Sequence, residues 1–128
     1  MGQEELKKAL VQSKRMGNLL NEVLDLSQQM AEALSRNDQV AVEMLIAMRQ
    51  EPIAKLERSQ QALRELTEGL EEPEDALRIS LLLNGGEAEN PEEQALANQV
   101  AANGRRLKQV LELDRVLSQK ITRDKSIY

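Results

Sequence analysis

The chain has 128 residues, of which 41% are hydrophobic and 30% charged, and its net charge is −5; these values are typical of one folded domain. It contains no histidine and no cysteine, which excludes disulfides, zinc sites built on either residue and His-dependent catalytic triads. One Tyr and no Phe or Trp leave an aliphatic core, which favours helices over a sheet. We therefore expect no enzymatic activity, no cofactor and no metal.

The first predicted helix covers residues 3–36. Three- and four-residue steps place a set of mostly apolar residues on one face, with a serine filling one gap: Met16, Leu20, Val23, Ser27, Met30 and Leu34. Asn37 and Asp38 predict a break after this helix. Asn tolerates the left-handed conformation that ends helices, and Asp is a strong N-cap for the next helix.

The second predicted helix covers residues 39–68. Its seam steps by threes and fours, with one extra residue after Pro52: Ala41, Leu45, Met48, Pro52, Leu56, Ser59, Leu63, Leu66 and Leu70. Because the apolar pattern continues on both sides of Pro52, we expect a kink there and no full break. Four methionines, Met16, Met30, Met44 and Met48, are predicted to be core residues.

Two further helices are predicted after Gly69. Pro73 and the acids that follow it predict a short helix over residues 73–83. Asn90-Pro91-Glu92-Glu93 predicts the start of a helix over residues 91–123, with Asn as cap, Pro at the first helical position and Glu93 in a capping box. The seam of this last helix is coiled-coil-like and is interrupted by two polar residues: Leu96, Val100, Asn103, Leu107, Val110, Asp114, Leu117 and Ile121.

Together these elements predict a single all-α domain over residues 1–128. The expected architecture is an elongated antiparallel helical bundle of three long helices plus one short connecting helix. No apolar stretch approaches the roughly 18 residues of a membrane helix, and the first residues do not resemble a signal peptide. We therefore expect a cytoplasmic protein without a membrane span.

The charges are distributed unevenly along the chain. Residues 65–93 hold ten acids and one base, Arg78, whereas residues 94–128 hold three acids and seven bases. This pattern fits either an acidic, solvated connector or a basic last helix that is available to an acidic partner. Nucleic acid is not an expected partner, because the chain is acidic overall and no aromatic residue lies among the bases.

The second half of the last helix is apolar over more than half of its circumference. The residues concerned are Leu107, Val110, Leu111, Leu113, Val116, Leu117 and Ile121. Two neighbouring helices cannot bury all of them. The surplus is explained either by a core helix with additional homodimer contacts, or by an exposed stripe that accepts an amphipathic helix of another protein.

Three segments, residues 24–38, 42–49 and 53–56, resemble bacterial flagellar export chaperones. In residues 102–107, Asn103, Gly104 and Leu107 resemble the Asn-Gly-x-x-Leu element of the FlgN group. The resemblance implies a cytoplasmic type III export chaperone. Such a protein binds the C-terminal helical segments of hook–filament junction proteins, prevents their premature assembly and delivers them to the export apparatus.

The resemblance also implies which residues bind the partner. By position in the terminal helix, the expected apolar contacts are Leu107, Val110, Leu111, Leu117 and Ile121, flanked by Arg105, Arg106 and Arg115. Two alternatives stay open. One is a FliT-type filament-cap chaperone, which the first 60 residues resemble about as well, although Asn103 and Gly104 do not match that type. The other is a structural coiled-coil homodimer or scaffold protein.

Overall fold

The computed structural model describes the backbone of residues 2–126 and the side chains of residues 2–121. This part of the chain forms four helices and no strand: α1 (Gln3–Ser35), α2 (Gln39–Glu68), α3 (Pro73–Leu83) and α4 (Pro91–Ser126). The all-helical prediction is confirmed. Helix α1 ends one residue earlier than predicted and α4 continues three residues further. None of these four helices is both long enough and apolar enough to cross a membrane.

The predicted helix caps are present at both sharp connections. Asn37 has φ 57°, and the Asp38 side chain accepts a hydrogen bond from the Ala41 N–H at 3.1 Å. At the start of α4, the Asn90 side chain accepts from the Glu93 N–H at 2.9 Å. The Glu93 carboxylate accepts from the Glu89 N–H at 3.1 Å. A capping box implies the Asn90 N–H as the donor, so the observed donor is one residue earlier in the chain.

Helix α1 is the central element of the fold. It packs along both α2 and α4, whereas the backbones of α2 and α4 scarcely approach each other, and α3 packs on α4 and α2. One core cluster lies near the α1–α2 turn: Leu26, Met30, Ala33, Val42, Leu45 and Leu117. A second lies near α3: Leu6, Ala9, Leu63, Leu82 and Leu96.

The seam of α2 differs from the prediction at two positions. The inward-facing residues follow three- and four-residue steps without a slip: Val42, Leu45, Arg49, Pro52, Leu56, Ser59 and Leu63. Val42 and Arg49 lie inward in place of the predicted Ala41 and Met48, and these two replacements together remove the extra residue from the pattern. The apolar pattern favoured Met48 because it treats a charged side chain as a surface residue, although a charge can be buried when it is paired.

The methionine predictions are therefore half correct. Met30 is buried and Met16 is half-buried, as predicted, but Met44 and Met48 are 61% and 54% exposed. The prediction was wrong for this second pair, because they lie outside the face of α2 that packs on α1. Pro52 is buried inside a continuous helix. The helix therefore does not break at Pro52, as predicted.

Candidate partner-binding groove

A polar contact joins the three long helices at one level of the bundle. The Arg49 guanidinium of α2 donates from Nη1 to Asp114 Oδ1 at 2.7 Å and from Nη2 to Asp114 Oδ2 at 3.1 Å. Its Nη1 also donates to Ser27 Oγ of α1 at 2.9 Å. The Arg49 side chain is 15% exposed. Among the described side chains, Arg49 and Asp114 make the hydrogen bonds that directly join α2 to α4.

The second polar residue of the α4 seam behaves differently. Asn103 Nδ2 donates to the Ser13 carbonyl oxygen of α1 at 2.7 Å, and its Oδ1 accepts from Gln99 Nε2 at 3.0 Å. A Cβ at Gly17 of α1 would lie 2.8 Å from both Asn103 Oδ1 and Gln99 Nε2. The amide therefore fits closely against α1, and α2 takes no part in the contact.

A groove opens between α2 and α4 at this level. Helix α1 forms its floor, α3 contributes to its lining, and its volume is about 560 Å³. All four helices supply its apolar lining: Met16, Leu20, Leu56, Leu63, Leu83, Val100 and Leu107. Its polar residues include Gln60, Arg64, Thr67, Glu68, Ser80, Asn84 and Asn103. An apolar floor with polar edges suits an amphipathic helix.

Gly104 contributes open space to this α2–α4 groove. It lines the groove, and a Cβ at this position would have no atom within 4 Å. Neither the backbone conformation nor close packing thus requires a glycine here. Its absent side chain leaves the groove wider than any other residue would, at a cost in helix propensity.

The predicted apolar contacts of α4 fall into two groups. Leu107 lines the groove and is 43% exposed, and Leu111, one turn further along α4, is 58% exposed. Val110 and Leu117 are only 6% and 3% exposed, and Ile121 is half-buried. The five residues do not form one exposed stripe, because the face that carries Val110 and Leu117 packs into the core. Partner binding by the exposed residues stays a prediction.

The three predicted flanking arginines do not converge on the groove. Arg105 is exposed, whereas Arg106 lines a different concavity, between α1 and α4, together with Lys14. Arg115 pairs with Glu112 on its own helix, with 2.6 Å between Nη2 and Oε1. This hydrogen bond raises the pKa of Arg115 and lowers that of Glu112. The sequence correctly predicted that these three arginines lie on α4, but it did not indicate which way their side chains point.

An ion pair joins α3, which contributes to the groove lining, to the start of α4. Arg78 of α3 donates from Nη2 to Glu93 Oε1 at 2.6 Å and from Nε to the same oxygen at 2.8 Å. This hydrogen bond is the largest influence that lowers the pKa of Glu93. Arg78 also donates to the carbonyl oxygen of Glu87. The pair therefore holds α3, the loop after it and the start of α4 together.

Sequence reasoning missed the Arg49–Asp114 and Arg78–Glu93 ion pairs, although each has a signal in the sequence. Arg78 is the one base among the ten acids of residues 65–93, which marks it as a side chain with many nearby carboxylates. Asp114 interrupts the apolar seam of α4, and Arg49 interrupts that of α2. Two charges of opposite sign on inward faces of neighbouring helices indicate a partnered pair.

The chain matches no family model, no curated protein and no solved structure. Its function is therefore inferred from the groove and from the residues that surround it.

Proposed function

We propose that the protein binds an amphipathic helix of another protein in the α2–α4 groove and acts as a cytoplasmic export chaperone of the flagellar type III system. One observation carries the proposal. Helices α2 and α4 both pack along α1 while their backbones scarcely approach each other, and the groove between them has an apolar floor. A further helix in this position would complete a four-helix arrangement.

The size of the groove sets the length of the bound segment. Leu56 and Leu63 lie seven residues apart on α2, which corresponds to about 10 Å, or two helical turns. Two or three apolar client side chains therefore fit, and each contributes about 1.5–3 kcal/mol when it is fully buried.

The sequence resemblance supports the client class. Asn103, Gly104 and Leu107, which form the Asn-Gly-x-x-Leu element, all line the groove. Each has a distinct part: Asn103 holds α4 on α1, Gly104 leaves space, and Leu107 offers an apolar contact. The proposed clients are accordingly the C-terminal helical segments of hook–filament junction proteins. Covering their apolar face would prevent assembly before export.

Binding of a fluorescently labelled C-terminal segment of a junction protein, measured by anisotropy, tests the proposal. We expect Leu107→Asp and Gly104→Leu each to weaken binding roughly tenfold or more, because the first charges the groove and the second fills it. Met44→Asp is the matched control, since Met44 is an exposed apolar residue on α2 outside the groove. Circular dichroism verifies that each variant keeps its helical content.

Two results would overturn the proposal. Unchanged affinity in both groove variants would exclude the groove as the binding site. A dimer that dissociates on Leu107→Asp would instead make the groove a self-association surface of a scaffold protein. Preferential binding of a filament-cap segment over a junction segment would keep the groove but replace the client with that of the FliT-type alternative.

A further inference from the structure

A second groove runs along the bundle between α1 and α2. It consists of two adjoining concavities of about 470 and 560 Å³. Both are lined by residues of α1 and α2 alone, and they share Gln12, Arg15 and Ala62. No residue of this groove belongs to the α2–α4 groove. The two grooves are therefore separate surfaces.

This second groove, the basic groove, carries an excess of positive charge in an acidic protein. Five bases line it, against the two acids Glu4 and Glu65: Lys7, Lys8, Arg15, Lys55 and Arg58. Among the described side chains, only Lys55 of these five has an ion-pair partner, Glu51 at 2.9 Å. The remaining four cations are available to carboxylates from outside the subunit.

The basic groove also has apolar surface between its charges. Val11 is 48% exposed, and Leu19 and Leu66 are half-buried along the same line. Apolar residues bordered by unpaired bases fit a helix that has one apolar face and acidic neighbours. A partner of this kind is present in the chain itself.

Helix α3 presents the complementary surface. Its inner face is fixed by Ile79 and Leu82, both 0% exposed, while Leu77 and Leu81 on the outer face are 71% and 42% exposed. Three exposed acids, Glu71, Glu72 and Glu74, lie at the start of this helix. Within one subunit α3 packs on α4 and α2, so its outer face points away from that packing and is open to a second molecule.

We propose that a second copy of this chain docks the outer face of its α3 into the basic groove. Leu77 and Leu81 would contact the apolar floor while the acids at the start of α3 face the lysines and arginines. In the proposed two-fold dimer each subunit docks its α3 into the groove of the other, so the contact occurs twice. An eleven-residue helix buries little area alone, so both contacts are needed for a stable interface.

Neither Leu77 nor Leu81 lines the α2–α4 groove, so self-association and client binding use different residues. The dimer is therefore independent of the proposed function, and each can fail without the other. We expect a dimer that depends on protein concentration and dissociates at high salt, because exposed charge pairs are screened.

Sedimentation velocity on two charge-reversed variants tests the proposal. The first, Lys8→Glu/Arg15→Glu/Arg58→Glu, makes the basic groove acidic. The second, Glu71→Lys/Glu72→Lys/Glu74→Lys, makes the start of α3 basic. Each variant alone brings like charges together at both contacts, so we expect each to be monomeric. An equimolar mixture is expected to dimerise, because both contacts of the mixed pair again join opposite charges.

A matched control separates the site from overall charge. Lys14→Glu/Arg36→Glu/Lys120→Glu changes the net charge equally at exposed positions outside the basic groove, and Lys14 is the sequence neighbour of Arg15. This control should dimerise like the wild type. A wild-type chain that stays monomeric up to 200 μM, a charge-reversed variant that dimerises alone, or a folded mixture that stays monomeric would each overturn the proposal.

Discussion

The two polar residues of the α4 seam, Asp114 and Asn103, lie at two levels of the bundle and bind different helices. At the upper level, Asp114 binds Arg49 of α2 through two hydrogen bonds, which closes the space between α2 and α4. At the lower level, Asn103 binds the Ser13 carbonyl of α1, and α2 and α4 are left apart. The groove thus lies at the level where the polar side chain of α4 binds α1, and the closed level is the one where it binds α2.

The residues of α2 explain this difference. At the upper level α2 offers an arginine, whose long side chain spans the distance to α4 and matches a carboxylate in shape. At the lower level α2 contributes Leu56 and Leu63 to the groove lining, and Asn103 makes its hydrogen bonds to α1 and within α4. The amide is satisfied on α1 instead, as a half-buried polar group must be.

The largest expected effect comes from comparing two leucines of α4 at the two levels. Leu117 is 3% exposed and Leu107 is 43% exposed. Leu117→Ala should lower the free energy of unfolding by about 3 kcal/mol, because it leaves a cavity in the core. Leu107→Ala should cost less than about 1 kcal/mol. Urea unfolding measures both, and equal costs would contradict the distinction between a closed and an open level.

An intermediate effect is expected at the upper polar contact. Arg49→Met leaves Asp114 without its partner, and since the Asp114 side chain is 34% exposed, water offsets part of the loss. We expect a cost of about 2 kcal/mol. Arg49→Met/Asp114→Leu should cost less than the single change, because no charge is then left unpaired. A double-mutant cycle by urea unfolding measures the coupling, and the absence of coupling would show that the pair does not close this level.

The smallest effect concerns the pair that fixes α3 beside the groove. Arg78 holds the pKa of Glu93 below its ordinary value of 4.5. A lowered folded-state pKa adds stability at pH values above 4.5 that is lost as the pH falls through the lowered value. The melting temperature of the wild type should therefore fall on acidification more steeply than that of Glu93→Gln. Glu112→Gln is the control, because it removes an exposed ion pair that contributes little; identical slopes for wild type and Glu93→Gln would contradict the expectation.

Much of the helix arrangement could be predicted, and the parts that failed have a common cause. Asn37, Asp38 and Asn90 act on backbone groups within a few residues, so their effects are readable from sequence. Arg49 was overlooked in favour of Met48 because periodicity ranks side chains by polarity and contains no information about partners. The exposure of Leu107 but not Leu117 depends on how far α4 lies from α2, which no pattern within α4 determines.

The amino-acid sequence alone determined the helical class, the number of helices, the caps at their sharp connections and most of the seam residues. These follow from local hydrogen bonding, proline and glycine geometry, and apolar periodicity, all of which act within about two turns. Only the tertiary structure decided that α2 and α4 meet at Asp114 and part at Asn103. These contacts join residues that are far apart in the sequence. Arg49 and Asp114 are separated by 65 residues, and Ser13 and Asn103 by 90 residues, so local patterns do not reveal them.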